Sequence, residues 1–260
     1  MRYAFKVFYD GSGFCGSQRQ LRGRTVEGEF LSALKRMKIA FTDFRSAGRT
    51  DKGVSALGNV IALTTDSPLM KPRILNAVLP GDIRVLGVQR VGDDFNPRHA
   101  NERIYRYILI DEGYDLSKMR RAKKAFIGKK SFHNFSSKDY RSPIRRINRV
   151  EIRKRGGVII LAFYGESFLW QMVRRMVTAL KAAGRGEVSL GELEDLFNPL
   201  VKRKMPPSPA ENLILWDVRY DFRFEYERYS KQRLVKDLSR RWMRIKAEEA
   251  IWGEVIKALR

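Results

Sequence analysis

The sequence predicts an α+β fold of two similar halves meeting at one sheet, and three observations carry that prediction. Strand-like and helix-like patterns alternate along residues 1–220, with no Gly-rich phosphate loop of the spacing a doubly wound nucleotide-binding sheet would need. The second half loosely repeats the plan of the first, with a boundary near 96–101. From Asp221 the chain becomes densely charged and helix-compatible. At 260 residues it can fill a full core, as one large domain or two half-sized lobes.

Residues 1–9 alternate as a strand, which leaves no apparent signal peptide, and a glycine-rich polar loop follows from Asp10 to Gln20. Thr25 is a suitable N-cap for a helix to about Met37, with Val26, Phe30, Leu34 and Met37 on one face. A strand precedes the loop that holds Asp51, and Gly58 to Thr65 reads as another. Pro72 suits the start of a helix over 71–79, Pro80-Gly81-Asp82 a turn, and Ile83 to Arg90 a strand. In the second half, strands fit 102–111, 146–154 and 158–164, the last two joined by the turn Arg155-Gly156-Gly157. An amphipathic helix is expected over 167–183 with Gly184 as its stop, and Ser189 with Glu192 forms a capping box for a short helix to Phe197. After a proline-rich loop at 205–209, residues 213–220 return as a strand. In the tail, the stripe Trp242, Ile245, Ile251 and Trp252 is expected to pack on the body, and the tail's basic face to be available to RNA.

Composition narrows the function. Fifty-two Lys and Arg against 29 Asp and Glu give a net charge of +23, an excess that implies a polyanionic partner. Nucleic acid is the first candidate, since no long apolar run or opening amphipathic anchor suggests a membrane. Cys15 is the only cysteine, which excludes an internal disulfide and fits a reducing cytoplasm. With only His99 and His133 beside it, a protein-made zinc site is not expected.

Residues 46–58 read Ser-Ala-Gly-Arg-Thr-Asp-Lys-Gly-Val-Ser-Ala-Leu-Gly. Asp51 lies between Gly48 and Gly53, two residues after Arg49 and beside Lys52. Glycine permits close approach of a ligand, and a neighbouring cation keeps an acid ionised. Taken alone, an Asp in such a turn more often bonds its own backbone.

This stretch resembles the active-site motif of the tRNA pseudouridine synthase A (TruA) family, in which the Asp is catalytic. Four further segments match the family pattern in order: 9–20, 103–107, 165–175 and 210–215. The resemblance therefore spans nearly all of residues 1–220. It implies two ferredoxin-like or RRM-like lobes joined through a central, mostly antiparallel sheet with helices on the outer face. Residues 1–98 would carry the Asp51 loop, 99–220 would complete the cleft, and 221–260 would form a basic helical extension.

The same resemblance implies the chemistry. Asp51 would act on the sugar as nucleophile or base, with Arg174 paired to it. Pattern alone reads Arg174 as a surface charge, since it falls off the apolar stripe of its helix. Arg49 would fill the gap left by the extruded base or bind the adjacent phosphate; its residue-level alternative is an ion pair with Asp51. Tyr105 would stack on the uracil and accept a proton late in the reaction, where the strand pattern reads a core aromatic. Leu213 would wall the slot, and Gly48, Thr50, Lys52, Gly53, Val54, Gln18 and Arg19 would meet the substrate. Ser55, Ser17 and Asn212 depart from the family's common His, Trp and Gly, and bear on substrate position more than on chemistry. The implied activity is cofactor-free isomerisation of anticodon stem-loop uridines, among positions 38–40, by a cytoplasmic homodimer that grips tRNA in a basic cleft. A non-catalytic RNA-binding protein, or a synthase acting on another RNA, shares the composition. An RNA methyltransferase would need a cofactor loop that the sequence lacks.

Overall fold

A computed structural model describes residues 1–137 and 142–260. Among them the chain forms, in order, β1 (Arg2–Tyr9), α1 (Val26–Arg36), β2 (Thr42–Ser46), β3 (Ser55–Thr64), α2 (Pro72–Val78), β4 (Ile83–Val91), β5 (Glu102–Ile110), α3 (Leu116–Ala122), β6 (Gly128–Ser131), β7 (Ile144–Arg155), β8 (Val158–Gly165), α4 (Met172–Arg185), α5 (Leu190–Asp195), β9 (Leu213–Arg219), β10 (Glu225–Tyr226) and α6 (Arg228–Ala258). The ten strands make one sheet in the order β10-β4-β1-β3-β9-β5-β8-β7-β6, with β2 also on β3. Every pairing is antiparallel except β3–β9, so the expected α+β class with a mostly antiparallel sheet is the one observed.

Both halves share one strand plan. The first runs β4-β1-β3-β2, and β9-β5-β8-β7 repeats that order in the second. They meet where β9 pairs with β5 along most of its length and touches β3 in parallel at Ser55 and Ala56. One large apolar cluster joins α1–α5 to a single face of the sheet, with Phe5, Phe30, Leu34, Leu75, Phe163, Met176, Leu180 and Leu193 fully buried within it. Polar side chains satisfy the helix starts as the sequence suggested: Thr25 accepts from the Gly28 N–H, and Ser189 and Glu192 close a capping box.

The opposite face of the sheet ties the halves by charge. Lys6 on β1 reaches across β3, its ammonium 2.5 Å from Asp217 Oδ1 and 2.7 Å from the Val218 carbonyl. Gly58 makes room for this crossing, because a Cβ there would lie 2.9 Å from Lys6 Cε and 3.0 Å from the Trp216 carbonyl. Burial pushes the Lys6 ammonium below its ordinary range and Asp217 pulls it back up.

Several boundaries differ from the sequence expectation. β3 begins at Ser55 rather than Gly58, since Ser55 and Ala56 pair with β9 and Ala56 also with Tyr9 of β1. α4 begins at Met172, five residues later than expected, because Gln171 sits at φ 61°, ψ 8° and cannot extend a right-handed helix. It stops at Gly186, not Gly184; Gly184 is buried inside the helix, where a Cβ would meet Met119 Cγ at 2.8 Å. α3, β6 and β10 are too short to announce themselves by periodicity. The largest difference is in the tail. α6 seats only its first turns, through buried Ser230 and Leu234, and Trp242, Ile245, Ile251 and Trp252 stand about half or more exposed instead of packing on the body.

Replacing Lys6 with Met keeps the shape of the stem but strips Asp217 of its charge-assisted bond. Denaturant unfolding should show a loss of about 1.5–3 kcal/mol, the usual cost for a hydrogen bond to a charged group. An unchanged midpoint would mean the pair contributes nothing to joining the halves.

Candidate active site

Asp51 lies in the loop between β2 and β3, and both of its carboxylate oxygens are engaged from the other half of the chain. Oδ2 accepts from Arg174 Nη1 at 2.9 Å, and Oδ1 accepts from the Trp170 indole N–H at 2.9 Å. The Arg174 side chain is 13% exposed and that of Asp51 is 26% exposed, so the pair is shielded on the protein side and open on the other. Arg174 is fixed in turn by its Nε, which donates to the Ser208 carbonyl at 2.6 Å. Ser208 N–H donates back to the Arg174 carbonyl, and its hydroxyl bonds that of Thr178.

The left-handed Gln171 explains how Trp170 and Arg174 converge. Its turn sets Trp170 ahead of the first turn of α4 and brings the indole round to the carboxylate that Arg174 approaches from the helix. Gln171 is held there by Ser137 and Arg175, both of which donate to its Oε1. Non-glycine residues persist at positive φ only where surrounding contacts over-determine them.

A buried polar network shapes the Asp51 loop. Asn59 on β3 clamps Gly48 from both sides: its Oδ1 accepts from the Gly48 N–H at 3.2 Å, and its Nδ2 donates to the Gly48 carbonyl at 2.9 Å. The same amide donates to Tyr9 Oη, which bonds the Thr50 hydroxyl at 2.9 Å. Thr50 N–H donates to Ser17 Oγ and the Thr50 carbonyl accepts from Ser17 N–H. Gly53, at φ 84°, lets the chain turn so that the Val54 N–H reaches the Asp51 carbonyl. Arg103 on β5, 7% exposed, bonds the Ala47 carbonyl at 3.0 Å and ties the start of the loop to the second half. Burial pushes the Tyr9 hydroxyl up to about 12.

The remaining sequence-predicted residues divide into two sets. Tyr105 is buried beside the loop, edge-on to Phe168 at 5.0 Å, and its hydroxyl lies 3.8 Å from where a Gly48 Cβ would stand. Burial holds that hydroxyl well above the ordinary phenol range, and the charge of Asp51 adds to the effect. Leu213 is buried on β9 opposite Tyr107. Gly48, Thr50 and Val54 are buried parts of the loop itself.

Arg49, Lys52, Gln18 and Arg19 point to solvent. Arg49 makes no ion pair with Asp51, so the residue-level alternative for it does not hold; Arg174 and Trp170 occupy that carboxylate. Gln18 and Arg19 form no hydrogen bond to the Asp51 loop, and the Arg19 N–H is held by Glu27 instead. Sequence reasoning missed Trp170, Asn59, Arg103 and Ser208. Arg103, in the motif at 103–107, and Trp170, in that at 165–175, stood in segments already marked out for their chemistry. Among the described residues no group of three or more His, Cys, Asp and Glu side chains could hold a metal, and no helix is long and apolar enough to cross a membrane.

A model of the tRNA pseudouridine synthase family matches residues 122–221. The tRNA pseudouridine synthase A of Thermococcus sibiricus is 44% identical over 259 residues, covering 96% of this chain and 97% of the relative. Those of Pyrococcus furiosus and Thermococcus kodakarensis are each 40% identical, covering 98% of this chain and 98% and 99% of their own lengths.

Two measurements test the loop network. Asn59→Ala strands the buried Gly48 amide and carbonyl and should lower unfolding stability by about 2–4 kcal/mol; a loss below about 1 kcal/mol would mean the clamp is replaceable. Tyr9 has a folded-state pKa near 12 against an ordinary 10.0, so its contribution is complete below pH 10 and is lost as pH rises toward 12. Urea titrations at pH 9, 10 and 11 should therefore show a shallower alkaline decline in Tyr9→Phe than in the parent, and parallel curves would contradict the assignment.

Proposed function

The chain belongs to the tRNA pseudouridine synthase A family, and from that premise we propose that it isomerises uridines of the tRNA anticodon stem-loop, among positions 38–40, with Asp51 as the catalytic residue. The observation that supports this reading most is the Asp51–Arg174 pair: a shielded carboxylate, open on one side, with a guanidinium fixed by a second bond. A protein that only grips phosphates gains nothing from presenting a carboxylate where RNA binds.

In the reaction the C1′–N1 bond breaks, the uracil turns, and a C1′–C5 bond forms. The C5 proton leaves and N1 takes a proton. Asp51 acts on the sugar through the carboxylate that Arg174 and Trp170 orient. Tyr105 supplies a neutral aromatic wall for the uracil; its raised pKa supports a stacking role more than that of a resting base. The uridine must leave its stack, at a cost of a few kcal/mol that is least in loops. Arg49, exposed and uncommitted beside Asp51, is suited to fill the vacated position or to fork onto the adjacent phosphate. Lys52, Gln18 and Arg19 line the solvent side as further tRNA contacts, Gly53 gives the RNA close access, and Leu213 backs the apolar wall. Like the family, the protein would work without a cofactor, in the cytoplasm, as a homodimer gripping tRNA in a basic cleft.

The test uses an unmodified tRNA transcript tritiated at uridine C5, with label release followed in the absence of any cofactor and products mapped by carbodiimide adducts. The parent should release label from anticodon-arm uridines. Asp51→Ala should release none while binding tRNA within about tenfold, roughly 1.4 kcal/mol, of the parent. Trp170→Phe, which keeps a ring but deletes the N–H, should lower kcat roughly tenfold with KM unchanged, as expected for one charge-assisted bond made to the reacting group. Release from other tRNA regions would reassign the substrate position, and tight binding with no release from any transcript would favour a non-catalytic RNA clamp.

A further inference from the structure

The long C-terminal helix leaves its body unfinished. α6 has 31 residues, about 46 Å, but its anchors all lie in the first half. The Glu227 N–H bonds the Leu86 carbonyl, Asn76 donates to Ser230, Arg84 pairs with Asp237, and Arg241 pairs with Asp10. From Trp242 onward every hydrogen bond and ion pair of the described residues stays within the helix, as in Arg244–Glu248 and Glu254–Lys257.

Seven of the ten large exposed apolar residues from Val235 onward fall on one line, with Met243, Ile251 and Val255 off it. Val235, Leu238, Trp242, Ile245, Glu249, Trp252, Ile256 and Leu259 follow one another at alternating spacings of three and four, for three and a half heptads. Seven of the eight are apolar and all seven are exposed, Trp242 by 56% and Trp252 by 64%. A strict 3.5-residue repeat of this kind is the seam of a coiled coil, narrower than the stripe by which a helix packs on a globular core. A helix standing free in water with such a seam is marginal without a partner.

From this we infer that the distal part of α6 pairs with α6 of a second copy of the chain, antiparallel, in an isologous two-fold dimer. The inference goes beyond the homodimer proposed above by assigning its surface, and it does not depend on which uridine or which residue carries the reaction. Charge sets the orientation. Residues 236–246 carry Lys236, Arg240, Arg241, Arg244 and Lys246 against Asp237 alone, whereas residues 247–256 carry Glu248, Glu249 and Glu254 with no basic residue. Parallel pairing would lay like blocks side by side; antiparallel pairing lays each acidic block on the basic block of the other helix. With the two-fold near Ala247, Trp242 meets the partner subunit's Trp252, and Glu249, the one polar seam residue, falls beside the partner subunit's Lys246. Two helices pairing this way close on themselves, which limits the assembly to two. Seven seam side chains on each helix, at on the order of 100 Å² apiece, reach the roughly 1,200–2,000 Å² of a stable interface.

Sedimentation of the full-length chain at micromolar concentration tests the seam. The parent should be a dimer, and Ile245→Glu with Ile256→Glu should raise the dimer dissociation constant at least 100-fold without altering the circular dichroism of the body. Met243→Glu changes an equally exposed apolar residue off the seam and should leave the dimer intact. A parent that sediments as a monomer, a seam variant that stays dimeric, or a Met243 variant that dissociates equally would each overturn the inference. So would a seam variant with unchanged oligomeric state whose tRNA binding loses its salt dependence, which would assign the helix to RNA. A dimer that survives the seam variant would leave the proposed homodimer standing on another surface. Spin labels on Arg260→Cys in a Cys15→Ser background should lie about 40 Å apart in an antiparallel pair, and a separation under about 20 Å would exclude that orientation.

Discussion

The arrangement of the site depends on one ion pair whose partners stand 123 residues apart. Asp51 comes from a loop of the first half and Arg174 from the first turn of a helix in the second, and neither half can form the pair by itself. The surrounding structure acts as scaffolding for that meeting. Asn59, Tyr9, Thr50 and Ser17 fix the backbone of the acid, and Ser208 fixes the guanidinium. Arg103 joins the loop to the strands of the other half, and β9 links the two sets of strands into one sheet. A carboxylate with both oxygens engaged has little freedom, so any ligand must be brought to it in the correct pose.

The fold was legible because its signals are local. Alternating residues along β1, β5 and β8 and the three-and-four spacing along α1 report which side of the chain meets the core. The caps at Thr25 and Ser189 marked two helix starts correctly. The misplaced start of α4 has a definite cause. Residues 167–171 carry a helical pattern, but a left-handed Gln171 interrupts it, held by Ser137 from outside the helix and by Arg175 from its first turn. No periodicity records such a contact.

The site was legible unevenly for the same reason. Asp51 stood out through its flanking glycines, whereas Arg174, read by its helical wheel, looked like surface. It faces inward because the acid it meets arrives from a distant loop. Trp170, next to it on that wheel, was marked only by lying in the segment 165–175, with nothing in its pattern to single it out. Asn59 could not be told from any polar residue in a strand until the loop folded over it. The tail failed differently. Its stripe was read as a packing face, and the stripe is real; what the single chain lacks is the surface that would cover it.

The central position of β9 has a consequence for how the chain is made. The strands β1 to β4 are complete once residue 91 is synthesised, but the strand that borders β3 next begins at residue 213. At roughly 5–20 residues per second, the 121 intervening residues (92–212) take about 6–24 s, long enough for a half-built sheet to meet other nascent chains. An open strand border is a template for unwanted pairing. Here β2 covers the far part of that border at once, pairing with Thr64, Ala62 and Ile61, so only the stretch near Ser55 and Ala56 waits for its partner. The short, early β2 thus leaves little of that border unpaired while the second half is still being made.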